Sequence, residues 1–279
     1  MQTSTQRFSY LQYLDSGWFH TNTSIDKICG GGQLRIVFKN SIWYNKIYLR
    51  SKQTKENEMK DFSVFDIIGP RMVGPSSSHT AGAVRIGLIA HRLIGSEHIK
   101  SADITLYGSF AETGIGHGTD RAILAGILGI GTEDPRIRYS VLLAHSEGVE
   151  FAVHKSDREM NHPNTARIIV ESVSGRKFEI VGTSVGGGNI EIVEINGMEV
   201  SFTGDYPALV IFYRDVPGVI STVTAILAET GTNVAFMKVF RSARQMDACM
   251  VIETDAEVPE TDIELIKQSV AGIREICKV

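Results

Sequence analysis

The sequence predicts an α+β protein of two successive units, and three observations carry that prediction. Between residues 61 and 203, helical and strand patterns alternate and then give way to paired strands around Ser174-Gly175 and Asn196-Gly197. From Pro207 onward the pattern reads β-α-β-β-α-β, a ferredoxin-like order. The first 58 residues fit neither unit: they carry eight Lys or Arg against four Asp or Glu, both tryptophans, and no sustained apolar period.

Each element has its own warrant. Pro75 stops any upstream helix, and the hydroxyls of Ser76, Ser77, Ser78 and Thr80 supply N-cap chemistry for a helix over 81–93. A strand over 102–107 is followed by a glycine-rich loop, Gly114 to Asp120, that opens a second helix ending near Gly129. Strand-like runs follow at 139–143 and 149–154, then the polar loop His162-Pro163-Asn164-Thr165. Alternation over 166–173 and 177–181 predicts one hairpin; 190–195 and 198–202 predict another, since Asn-Gly favours the type I′ turn. Gly186-Gly187-Gly188 between them is a flexible or close-approach segment. In the last unit, strands at 208–213, 233–241, 247–253 and 273–277 alternate with helices over about 219–229 and 259–270.

Composition narrows the function. The formal charge of −4 argues against nucleic acid as the main partner, and no run of about twenty apolar residues offers a membrane span. Cys29, Cys249 and Cys277 are too scattered for a zinc or iron–sulfur ligand run and fit a reduced, cytoplasmic setting. Lys55-Glu56 can be encoded by a ribosome-binding sequence just before Met59. The expectation is therefore that Met59 is the native start and that 1–58 are a mis-assigned or disordered extension. Ile36, Val37 and Phe38 could still form a short strand there.

Seven of the eight histidines fall between His79 and His162, which places the chemistry in the middle of the chain. At Ser76-Ser77-Ser78-His79-Thr80, the free N–H groups and positive dipole end of a helix make an anion site, and His79 adds a group that can move a proton near neutral pH. An ordinary serine cap beside a surface histidine fits the same residues. His117 and Asp120 stand three apart at the second helix start, as functional residues or as loop and cap. His162 and Asn164 are candidates for substrate binding or simply for a turn. Asp215, Pro217, Gly218 and Asn233 mark a second candidate loop, although Pro217 also suits a first helical turn.

Asp215-Val216-Pro217-Gly218-Val219, with Gly231-Thr232-Asn233-Val234, resembles the ACT domain, a regulatory module that binds amino acids, usually between two copies. The segments 74–82, 108–120, 162–165 and 182–188 together resemble the β subunit of iron–sulfur-dependent L-serine dehydratase, over about 59–279. The central unit is similar also to the allosteric substrate-binding domain of some phosphoglycerate dehydrogenases. The implied domains are 61–203, the serine dehydratase β domain, and 206–279, the ACT domain.

The resemblance implies conversion of L-serine to pyruvate and ammonia without pyridoxal phosphate. In that family an iron of a 4Fe-4S cluster acts on the substrate hydroxyl, a base takes the α-proton, and the enamine hydrolyses. It implies catalytic roles for His79, Ser78, Thr80, His117 and Asp120, substrate contacts from Ser76, Ser77, His162 and Asn164, and regulatory ligand binding by Asp215, Pro217, Gly218 and Asn233. With no metal ligand set expected in this chain, the cluster is expected on a partner α subunit, with self-association through the ACT domains. The rival expectation is a non-catalytic serine sensor. A Ser-His hydrolase through Ser78 and His79 fits poorly, since adjacent residues seldom reach attack geometry and no G-x-S-x-G elbow is present.

Overall fold

The computed structural model describes residues 5–14, 17–26, 71–243 and 246–279. The expected strand at Ile36 to Phe38, Cys29 and Met59 lie outside the described residues. Near the N-terminus, β1 (Thr5–Leu14) and β2 (Gly17–Asp26) pair antiparallel in a unit of their own, residues 1–60.

In the unit from residue 61 on, a π-helical turn at Ser77–Gly82 runs into α1 (Ala83–Ile94), followed by β3 (Ile99–Tyr107), α2 (Gly108–His117) and α3 (Thr119–Ile127). A short 3-10 turn at Pro135–Tyr139 leads to α4 (Ser140–Ser146) and β4 (Glu150–Ser156). Then come β5 (Thr165–Ser172), β6 (Lys177–Gly186), β7 (Asn189–Ile195) and β8 (Met198–Phe202). These strands form one sheet in the order β4-β3-β5-β6-β7-β8, with only β3–β4 parallel. Positive φ at Asn196 (49°) and Gly197 (76°) agrees with the type I′ turn expected between β7 and β8.

The second sheet holds β9 (Ala208–Arg214), β10 (Val234–Arg241), β11 (Asp247–Thr254) and β12 (Ile273–Lys278), in the order β10-β11-β9-β12. Helices α5 (Val219–Glu229) and α6 (Glu260–Ser269) pack against it, completing the β-α-β-β-α-β order.

Two expectations are corrected here. The run 139–143 is helical: Asp134 caps the preceding turn by accepting from the Arg136 N–H at 2.8 Å, and Pro135 sits in its first turn. A short apolar run has no period that separates strand from helix, and the cap decided it. The glycine-rich segment Gly114 to His117 is also helix, closing α2; the break comes only at Gly118.

Helix α1 sits at the centre. It lies across β5 and β6, crosses α3, and meets β12 on another side, so Ala83, Val84, Ile86, Ile89, Ala90, Leu93 and Ile94 are all buried. Its crossing with α3 is close: a Cβ on Gly126 would lie 2.1 Å from the Val84 carbonyl oxygen, and one on Gly87 2.2 Å from that of Ile123. The second sheet is covered on both faces. Leu209, Ile211 and Tyr213 point into a core with α5 and α6, while Ala208, Val210, Phe212, Cys249, Val251 and Cys277 join the core around α1. That explains why 208–213 is apolar without alternation.

Candidate functional site

Ser76 is the N-cap of the π turn. Its Oγ accepts from the His79 N–H at 3.0 Å, and its carbonyl accepts from the Thr80 N–H at 2.9 Å. The cap is thereby satisfied by Ser76 alone. The hydroxyls and N–H groups of Ser77 and Ser78 make no hydrogen bond to another described residue, so these donors at the start of the turn are left over. The expectation of Ser76 as a substrate contact therefore competes with its capping bond. Single π turns of this kind recur at functional sites.

His79 projects from this turn onto α2. Its Nε2 lies 3.1 Å from Ser109 Oγ and 3.1 Å from Thr113 Oγ1. Its ring stands 4.8 Å from the His117 ring, centroid to centroid, and edge-on to Phe110 at 5.2 Å. Burial first, and then repulsion from His117, hold His79 below the ordinary histidine value, against the pull of the Ser109 backbone carbonyl, which accepts from it. Burial and repulsion both disfavour the protonated form of His79. His117 Nδ1 lies 3.1 Å from the Thr113 carbonyl, and the Thr80 hydroxyl donates to the His117 carbonyl at 3.4 Å. Asp120 lies in the first turn of α3, whose N-cap is Gly118; it is not the cap.

The His162 loop is tied to the same region. The Pro163 carbonyl accepts from the Phe110 N–H at 3.4 Å, and the Asn164 carbonyl from the Ser184 N–H at 2.9 Å. Gly108 makes this approach feasible: its φ is +49°, and a Cβ there would stand 2.7 Å from the Pro163 carbonyl oxygen. His162 Nδ1 accepts from the Asn164 N–H at 3.1 Å, and the Asn164 side-chain amide donates to the Ser184 carbonyl at 3.4 Å. Ser184 underlies the π turn; its buried Oγ has no partner among the described residues and would sit 2.1 Å from a Cβ on Gly82. On α1, Arg85 donates to the Gly188 carbonyl at 3.1 Å and pairs with Asp205 at 2.5 Å, anchoring the triple-glycine turn.

Sequence reading assigned no role to Ser109, Thr113 or Ser184. Ser109 and Thr113 share a helix face at i, i+4, a signal missed because 108–113 was given no element between the strand and the glycine-rich loop.

The second predicted loop is divided. Asp215, near Arg241 at 3.5 Å, lies with Pro217 and Gly218 at one end of the second sheet. Asn233, donating to Asp255 at 2.6 Å, immediately precedes β10 at the other end, roughly 25 Å away along the eight-residue strand. One chain does not bring the four together.

The donors among the described residues do not fit an iron–sulfur cluster. Among the described residues no three His, Cys, Asp or Glu side chains stand together as a metal site. Cys249 and Cys277 are buried behind the second sheet, and burial pushes each thiol up to about 12, where it is no thiolate ligand. No helix among the described residues is long and apolar enough to cross a membrane.

Comparison with known proteins adds independent findings. The family model described as serine dehydratase beta chain matches residues 63–142, and that of the ACT domain matches 208–270. The chain is 45% identical over 202 residues to the probable L-serine dehydratase, beta chain, of Bacillus subtilis, covering 72% of this chain and 91% of that one. It is 36% identical over 216 residues to the L-serine dehydratase, beta chain, of Peptoniphilus asaccharolyticus, covering 77% and 95%. A shorter match, 33% over 127 residues, covers 46% of this chain and 24% of a D-3-phosphoglycerate dehydrogenase from Methanocaldococcus jannaschii.

Proposed function

The chain belongs to the serine dehydratase beta chain family and carries an ACT domain, and from that premise we propose that it is the β subunit of an L-serine ammonia-lyase. Residues 61–203 hold the site and 206–279 the regulatory module. The observation that carries the reading is His79, partly buried and packed against His117 at 4.8 Å, beside a capped turn whose Ser77 and Ser78 donors have no partner among the described residues.

In this reading the substrate carboxylate is held by the N–H groups and hydroxyls of Ser77 and Ser78, with the dipole of the turn and α1 behind them. That leaves the α-carbon beside the imidazole, and His79 accepts the α-proton. His117 opposes a second proton on the pair. Loss of the β-hydroxyl as water gives an enamine, which tautomerises to the imine and takes up water to yield pyruvate and ammonia. Because the donors among the described residues do not fit a 4Fe-4S cluster, hydroxyl activation belongs to a partner α subunit in a cytoplasmic heteromer. A regulatory amino acid would sit between two ACT domains, pairing the Asp215 end of one with the Asn233 end of the other.

The test is reconstitution. The chain alone, incubated anaerobically with iron and sulfide, is expected to make no pyruvate from L-serine; adding the partner produces air-sensitive turnover. Turnover by the single chain overturns the two-subunit reading. Serine binding without turnover in the presence of the partner favours a sensor.

A further inference from the structure

The contacts of Thr113 specify where the protons sit on both histidines. Its carbonyl, 3.1 Å from His117 Nδ1, can only accept, so His117 carries a proton on Nδ1 and its lone pair on Nε2. Its hydroxyl has one proton, donated to the Ser109 carbonyl at 2.9 Å. Toward His79 Nε2, 3.1 Å away, Thr113 Oγ1 therefore presents a lone pair, and the contact is satisfied when Nε2 carries the proton. Ser109 Oγ, also 3.1 Å from Nε2, shares that proton. The lone pair of His79 then lies on Nδ1. His117 Nε2 has no hydrogen-bond partner among the described residues, and the further contact of the His79 ring is with the Ser109 backbone, an acceptor.

We propose that Thr113 is a positioning residue that sets opposite tautomers on the two histidines, Nε2–H on His79 through its hydroxyl and Nδ1–H on His117 through its carbonyl. Which nitrogen takes the substrate proton is thereby decided by a residue that need not touch substrate. The catalytic consequence rests on the dehydratase reading; the tautomer assignment does not. Thr113 is exposed, and its side chain bonds back to the residue four earlier in the helix, a contact whose loss costs a helix little. The variant Thr113→Val should therefore fold.

The experiment has two arms. Long-range 15N–1H spectra of the full chain, taken about two pH units above the ordinary histidine value, should show the wild-type proton on Nε2 of His79 and on Nδ1 of His117. In Thr113→Val, His79 should become a mixture of tautomers while His117 is unchanged, and Thr113→Ser should restore the wild-type pattern. A wild-type His79 protonated on Nδ1, or spectra unmoved by Thr113→Val, overturns the proposal. In the assembled enzyme, Thr113→Val should lower kcat about tenfold, the equivalent of one neutral hydrogen bond, with KM nearly constant and Thr113→Ser restoring the rate. Wild-type kcat in Thr113→Val overturns the catalytic role. Absence of pyruvate from the wild-type assembly instead defeats the dehydratase reading, and the spectra alone then decide the tautomers.

Discussion

At the scale of residues, the four neighbouring hydroxyls and His79 divide the labour, and substitutions should separate them. Ser76→Ala removes the cap bond to the His79 N–H and should cost about 1 kcal/mol of stability. Ser78→Ala should leave the thermal melt unchanged but lower kcat/KM for serine roughly 10- to 100-fold, as expected for losing a hydrogen bond to a carboxylate. Equal effects of both on melting would assign the whole run to capping. His79→Ala should reduce kcat by at least about 100-fold with folding retained by circular dichroism. The depressed His79 also has a pH signature. Its unfolded form takes up a proton as pH falls through 6.5, before the folded form does, so folded stability is intact above that value and declines below it. Urea midpoints at pH values either side of 6.5 should fall less in His79→Gln than in wild type; an identical fall shows that His79 is not the group.

Among the elements, α1 matters most, because the π turn carrying His79 is its direct continuation. On helix propensity alone, Gly126→Ala in α3 should stabilise by about 1 kcal/mol. The added Cβ, however, would lie 2.1 Å from the Val84 carbonyl and 2.7 Å from the Leu88 nitrogen, backbone atoms that cannot swing aside. Overpacking of that kind costs about 1–3 kcal/mol and wins. A lowered melting temperature and reduced turnover are expected; a raised melting temperature would show that the helices separate at no cost. Elements were legible where a cap or turn signal coincided with periodicity, as at Asn196-Gly197 and Gly218. They were misread at 139–143 and after Gly114, where a short apolar run and three glycines resemble other things locally.

Across the whole molecule, the two predicted domains share a core. Val210, Phe212 and Val251 of the second sheet pack with α1 and the first sheet, and each such side chain is worth about 1.5–3 kcal/mol buried. Arg176 reinforces the junction: it pairs with Glu275 at 2.5 Å, donates to the Ile94 carbonyl at 2.9 Å, and reaches Cys277 Sγ at 3.3 Å. A fragment ending at residue 205 should therefore be insoluble or unfolded rather than a free-standing domain; a soluble, cooperatively melting fragment would refute the shared core. For the same reason Cys249 and Cys277, buried and raised to about 12, should resist alkylation in the native protein and react in urea. Peptide mapping that finds either alkylated without denaturant would contradict their placement.

The mixed α+β class, the β-α-β-β-α-β unit and the hairpin at Asn196-Gly197 were readable in the chain itself, because caps, turns and alternation are local properties. Which chemistry-bearing residues meet was not. His79 and His117 are 38 positions apart and Ser184 lies over 100 residues beyond Ser76, so their juxtaposition depends on how α1 crosses α3 and lies over β6. Likewise, the 208–213 run read only as a strand, and packing decided that it is buried on both faces, the second closing over the helix that carries the site. Long-range contacts of this kind follow from summed burial across the whole fold, which no local pattern encodes.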